Sequence, residues 1–226
     1  MLIVAIDTSG RTGSVALCRG DAASFEVLEL CTLEGGTYSA RLMPCIAEML
    51  TRSQVTKSQL HGLVVVDGPG SFTGLRVGLS TVKALCEVLG KPLVAVSMLE
   101  ALAMTYGEKG EVVITILDAG RGELYVGEYR LDEEGAQLTR ESMPKLTDLL
   151  GQPLAPGARA VTPFPKIAEA LAAARWNVSL VPPLKADAIG RIGLSKLLSG
   201  NVADPATLDA NYVRRSDAEM YAPPKR

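Results

Sequence analysis

The chain has 226 residues, 47% of them hydrophobic and 21% charged, a composition that can bury a proper core and excludes a disordered chain. A net charge of −2 and a pI near 5.6 argue against a dedicated nucleic-acid surface, which needs clustered Lys and Arg. No apolar run reaches the roughly 18 residues of a membrane span; with only 4% aromatic residues, the core must come from Val, Leu, Ile and Ala, as in parallel or mixed α/β sheets.

The N-terminal run Leu2-Ile-Val-Ala-Ile-Asp7 is too short for a signal peptide and lacks a basic lead, so it reads as a strand. Gly13–Cys18 returns as a second strand, with Thr8-Ser9-Gly10-Arg11-Thr12-Gly13 in the turn, and Phe25–Thr32 reads as a third. Tyr38 to Thr51 has helical periodicity. Leu42, Cys45, Ile46 and Met49 make one stripe, which Met43, Ala47 and Leu50 widen beyond a single core-facing side. Pro44 marks an early turn or a kink there.

The most informative segment comes next. A buried-type strand, Leu63–Val66, runs into Asp67-Gly68-Pro69-Gly70-Ser71-Phe72-Thr73-Gly74. Its glycines do not match the dinucleotide fingerprint, because the third position falls on Thr73, and no Gly-Lys-Ser/Thr follows Gly74. Two readings remain: an anion held at a helix N-terminus, or a tight structural turn built on Gly68, Pro69, Gly70, Ser71 and Gly74. The helix that leaves it, about Ser71 to Leu89, carries Leu75, Leu79, Val82, Cys86 and Leu89 on one face. Val77, Thr81, Ala84 and Val88 lie opposite, and Arg76, Ser80, Lys83 and Glu87 form only a narrow polar stripe. A helix apolar on two sides is covered on both, by its own core or by another protein.

Leu93–Val96 reads as a strand, and Ser97 as the cap of a helix carrying Leu99, Leu102 and Ala103. The polar stretch 107–111 is the expected boundary between lobes 1–106 and 107–226. Val112–Asp118 and Glu123–Tyr129 then repeat the opening hairpin, again with Asp at the end of the first strand and Gly and Arg in the turn. This points to a duplicated α/β unit. Asp132-Glu-Glu-Gly135 is a turn, Pro153–Pro165 reads as loop, and helices are expected at about Phe164–Arg175 and Asp187–Leu198, the last packing back on the first lobe. Residues 221–226 are expected to be a disordered tail.

His61 is the single histidine, so a His-x-x-x-His metal pair is impossible and any Ser-His-Asp triad would have to use it; a structural role is expected, and no metal site. Cys18, Cys31, Cys45 and Cys86 lack CxxC spacing and read as reduced small hydrophobes of a cytoplasmic protein. Asp7 and Asp118 could face each other across a cleft between lobes. With Thr8, Ser9 and Gly120 they form a candidate site for ATP or ADP with Mg²⁺; the plainer alternative is an Asp capping its own hairpin turn.

Ala5-Ile-Asp-Thr-Ser9, Gly68-Pro-Gly-Ser-Phe-Thr-Gly-Leu-Arg-Val-Gly78, Asp118-Ala-Gly-Arg-Gly-Glu-Leu-Tyr125 and Tyr212-Val-Arg214 together resemble the bacterial TsaB (YeaZ) proteins over most of the chain. The resemblance implies a two-lobed actin-like (ASKHA, ribonuclease H-like) α/β fold with mixed sheets flanked by helices. It implies a noncatalytic, cytoplasmic subunit in the making of threonylcarbamoyladenosine next to the tRNA anticodon. The implied partners are the catalytic paralogue TsaD and the ATPase TsaE, with tRNA reached only through the complex, no membrane, and a homodimer when the chain is alone. Pairing in that family is helix against helix through the first lobe. The expected contact set is therefore Tyr38, Leu42, Met43, Cys45, Ile46, Met49 and Leu50 on the first helix, with Leu75, Arg76, Val77, Thr81, Ala84 and Val88 on the second. Many family members carry a His where Tyr38 stands. Competing functions are an actin-fold ATPase or phosphotransferase and, more remotely, the M22-type peptidase whose label such chains inherit.

Overall fold

The protein is seen here as a computed structural model, and the structure describes residues 1–211. The tail 221–226 and the Tyr212-Val-Arg214 motif lie outside them. β1 (Leu2–Asp7) and β2 (Thr12–Gly20) form the expected hairpin, and β3 (Phe25–Glu34) pairs antiparallel with β2. After α1 (Tyr38–Arg52), β4 (Gly62–Gly68) joins β1 in parallel. α2 (Phe72–Leu89) leads on to β5 (Leu93–Ser97), which joins β4 in parallel. The sheet order is β3-β2-β1-β4-β5.

α3 (Met98–Tyr106) connects to β6 (Val112–Gly120), β7 (Glu123–Leu131) and β8 (Ala136–Ser142); α4 (Leu146–Leu150), β9 (Ala158–Thr162), α5 (Pro165–Ala173) and β10 (Val178–Leu180) follow. The second sheet runs β10-β9-β6-β7-β8. Each sheet thus has a central hairpin strand with antiparallel partners on one side and parallel partners on the other. This is the duplicated α/β unit that the two Asp-ended hairpins implied, in the two-lobed ribonuclease H-like plan that the family resemblance implied.

Ser97 caps α3 by accepting from Glu100 N at 3.5 Å. α3 is apolar enough to serve both lobes: Met98 and Ala101 enter the first core, Leu99 and Ala103 the second, beside Val113, Tyr129 and Val161. α6 (Ala186–Leu198) crosses back onto the first sheet, where Gly193 lies on Val64, while Gly78 of α2 lies near Val65 on the opposite face. Successive side chains of a strand point to opposite faces, so β1 and β4, covered on both, are near-continuous apolar runs.

The expected loop Pro153–Pro165 is corrected by β9, whose Ala160 and Val161 are fully buried beside β6. Five residues between prolines, with small side chains, are too few to show a period. β8, β10 and α4 also went unpredicted; the first two are edge strands, and β8 is largely exposed, with little apolar pattern.

Candidate functional site

The glycine-rich turn is stitched to the β1–β2 turn through the backbone. Ser71 N donates to Ser9 O at 2.7 Å, and Thr8 Oγ1 donates to Gly74 O at 2.7 Å. Ser71 caps α2, its hydroxyl accepting from Gly74 N at 3.3 Å. A Cβ on Gly70 would lie 2.5 Å from Ser9 O, and one on Gly74 would lie 2.0 Å from Thr8 O. These glycines therefore let two turns touch; the helix that follows is aimed by that contact.

Both turns open onto a cleft of about 990 Å³ between the lobes. Asp7, Ser9, Arg11 and Tyr38 line it from the first lobe, with Ser39 of α1 and Thr73 and Val77 of α2. Asp118, Gly120, Tyr125 and Phe164 line it from the second. The structure thus brings Asp7, Ser9, Asp118 and Gly120 to one cleft. Thr8 is absent from the lining and fully buried, its hydroxyl engaged by Gly74. Sequence reasoning did not single out Arg11, Ser39, Thr73 or Phe164; a cleft wall assembled from seven separate segments leaves no periodic signal.

Each Asp also caps its own turn. Asp7 Oδ1 accepts from Ser9 N at 2.8 Å and Ser9 Oγ at 2.6 Å; Asp118 Oδ1 accepts from Gly120 N at 2.8 Å. Burial pushes the Asp7 carboxyl up despite the two Ser9 bonds, which favour its ionised form. Tyr38, buried, donates to Gly10 O at 2.8 Å; burial, then the charge of Asp7, pushes its phenol up to about 12. An actin-like fold suggests ATP or ADP in this cleft, and the residues fit its phosphates poorly. The Thr8 and Ser9 hydroxyls and Ser71 N are already engaged within the protein, and among the described residues Arg11 is the one cationic side chain in the lining, against two carboxylates. Among the described residues no group of three or more His, Cys, Asp or Glu side chains could hold a metal ion.

The second feature is the outer face of α1 and α2. Seven expected contact residues, Tyr38, Leu42, Cys45, Ile46, Met49, Leu50 and Leu75, are buried in the chain's own core. The expectation is corrected for those seven: α1 packs on β2, β3 and α2, which cover Leu42, Cys45, Ile46, Met49 and Leu50 from within and leave Met43 and Ala47 exposed. What remains outside is Met43 at 45% exposure, Phe72 at 37% and Val88 at 82%, with Ala84 exposed and Val77 and Thr81 half-buried. Arg76 is exposed, its guanidinium 3.9 Å from the centroid of the Phe72 ring. The buried stripe of α2 is Leu75, Leu79, Val82 and Cys86, as the periodicity predicts.

Among the described residues His61 has structural partners. Its Nδ1 accepts from Leu2 N at 3.1 Å, and its backbone N donates to Leu2 O at 2.8 Å, a structural role. The four cysteines are free thiols; burial pushes Cys18 and Cys45 up to about 12 and Cys86 up to about 11, so these three stay neutral.

Asp67, where β4 enters the glycine turn, is a site that sequence reasoning missed. Its Oδ1 is buried without a partner among the described residues, and burial pushes the carboxyl up to about 6. The cover comes from the far end of the chain: Asn211 N donates to Asp67 O at 2.8 Å. The ordinary value is 3.8, so ionising Asp67 costs the native state more than the unfolded one. The resulting penalty is nil below about pH 4, grows as pH rises towards 6, and is full above it, on the order of 2–3 kcal/mol. Asp67→Asn is therefore expected to raise stability at pH 8, with the gain fading to nothing near pH 4. Urea denaturation across that range checks it, and a gain equal at both ends would contradict the assignment.

A family model described as TsaD, tRNA N6-adenosine threonylcarbamoyltransferase, matches residues 35–217. The chain is 38% identical over 130 residues to the tRNA threonylcarbamoyladenosine biosynthesis protein TsaB of Bacillus subtilis, a stretch covering 58% of this chain and 56% of that protein. It is 30% identical over 226 residues to an uncharacterized protein of Mycobacterium tuberculosis, covering 97% of this chain and 95% of the other. The match to the Bacillus TsaB thus spans little more than half of that relative's length. The solved structure of YeaZ from Pseudomonas aeruginosa superposes with a TM-score of 0.71 at 22% identity, over 92% of this chain and 98% of that one, and so shares the fold. No helix among the described residues is long and apolar enough to cross a membrane. The motif set, the doubled sheet plan and these matches agree: the chain belongs to the TsaB (YeaZ) family, within the TsaD-like group that the family model describes.

Proposed function

We propose that this chain is a noncatalytic subunit for threonylcarbamoyl transfer to the adenosine beside the tRNA anticodon, binding and supporting a TsaD-type catalytic subunit alongside the ATPase TsaE in the cytoplasm. The observation that carries it is the outer stripe of α2, where Ala84 and Val88 are exposed and Val77 is half-buried, while the opposite stripe is buried in the chain's own core. Exposed apolar surface of this kind marks a protein contact, and when the partner is lacking it supports a homodimer. Membership of the TsaB family and the role of its Bacillus relative in tRNA threonylcarbamoyladenosine biosynthesis support the tRNA-modification role. The test is co-purification with the TsaD-family protein of the same organism, followed by a tRNA modification assay with and without this chain. Strong dependence of modification on the chain is expected. Full modification in its absence would overturn the reading.

A second reading, an actin-fold ATPase or phosphotransferase, draws on Asp7 and Asp118 lining one cleft. The engaged hydroxyls of Thr8 and Ser9 count against it.

A further inference from the structure

The cleft and the open helix face are one continuous surface. Thr73, Val77, Ala84 and Val88 are spaced 4, 7 and 4 apart, so they fall on one side of α2. Thr73 and Val77 line the cleft, and Val88, at the other end of the stripe, is the most exposed large hydrophobic side chain among the described residues. At 1.5 Å per residue the stripe runs roughly 22 Å from the cleft to the far end of the face. A partner lying along α2 would therefore reach the cleft mouth.

The chemistry waiting there suits a cation. The hydrogen bonds that Asp7 and Asp118 accept from their own turns all end on Oδ1, so an Oδ2 from each lobe is left as an acceptor. Among the described residues the charged lining is Asp7 and Asp118 against Arg11. An ionised Asp7, all but buried, needs a charge partner, which a Lys ammonium or Arg guanidinium supplies with its own hydrogen-bond donors. Met98, Leu102, Leu117 and Leu184 give the same cleft an apolar wall, suited to the aliphatic stem of such a side chain.

We infer that the interlobe cleft, instead of a nucleotide, seats a Lys or Arg side chain carried by the protein that docks on the α1/α2 face, held between Asp7 and Asp118. The inference rests on the docking reading above and adds to it a cationic anchor and a reason for the two acids. Asn at either position keeps Oδ1 as an acceptor for the turn, so Asp7→Asn and Asp118→Asn remove charge without removing the turn bonds.

The test measures affinity of the intact chain for its TsaD-family partner by calorimetry at low and high salt, with melting temperatures recorded for every variant. The double Asn variant is expected to bind at least about tenfold more weakly, with the deficit larger at low salt, as for a charge pair. Asp118→Asn alone, at an exposed turn, should give part of that loss, and its fold is not at risk. Binding by the double variant within about twofold of wild type would overturn the inference. So would saturable binding of ATP with Mg²⁺ to the isolated chain that is lost in Asp7→Asn. If Val88→Glu also leaves affinity unchanged, the docking face itself is wrong; if Val88→Glu weakens binding and the Asn pair does not, only the cation site fails.

Discussion

Val88→Glu is expected to weaken capture of the proposed TsaD-type partner at least about 100-fold, because a carboxylate pressed into an apolar contact must be desolvated without a partner. The same change should leave the isolated chain's melting temperature within about 2 °C of wild type, since surface substitutions are usually worth less than about 0.5 kcal/mol. Val88 is 82% exposed, so the protomer itself has nothing to lose there. Leu42→Glu makes the opposite pattern. Leu42 is buried under α1, and a charge there should unfold the chain before any question of binding arises. The pair of results separates an interface residue from a core residue that only looks like one in the helical pattern. Undiminished capture by Val88→Glu, measured by calorimetry on a folded sample, would remove α2's outer stripe from the contact.

That distinction marks how far the sequence could be read. α2 was legible because its two apolar stripes are separated by polar positions, and the structure sends Leu75, Leu79, Val82 and Cys86 inward and leaves Ala84 and Val88 outside. α1 was not legible in the same way. Part of its stripe (Leu42, Cys45, Ile46, Met49 and Leu50) is covered by β2, β3 and α2 while Met43 and Ala47 stay exposed, and periodicity reports the width of an apolar face without saying what covers it. The paired hairpins were readable from two Asp-ended strands, yet their meeting in one cleft depends on how the lobes fold together. The burial of Asp67 depends on Asn211, and the return of α6 onto the first sheet depends on small residues meeting Val64. Contacts this distant in sequence leave no local trace.

Gly74→Ala is the second large effect, and two terms oppose each other in it. Gly74 sits in the first turn of α2, where Ala in place of Gly would gain up to about 1 kcal/mol of helix propensity. The added methyl, however, would lie 2.0 Å from Thr8 O and 3.4 Å from Tyr38 Cε2. The near atom is backbone, so it cannot swing aside. Relief requires moving the β1–β2 turn away from the helix, breaking the Thr8 Oγ1–Gly74 O bond and the Ser71 N–Ser9 O bond that join them. Overpacking of about 1–3 kcal/mol and two lost buried hydrogen bonds at about 1 kcal/mol each outweigh the propensity gain, for a net loss on the order of 2–4 kcal/mol. Gly151→Ala is the control. Its added Cβ meets nothing closer than 3.6 Å, and the backbone there is right-handed, so stability should hold or rise slightly. Thermal melts of the two variants side by side should differ by well over 5 °C. Equal melting temperatures would mean that the glycine turn is not pressed against Thr8, and that α2 owes its orientation to something other than the stitch between the two turns.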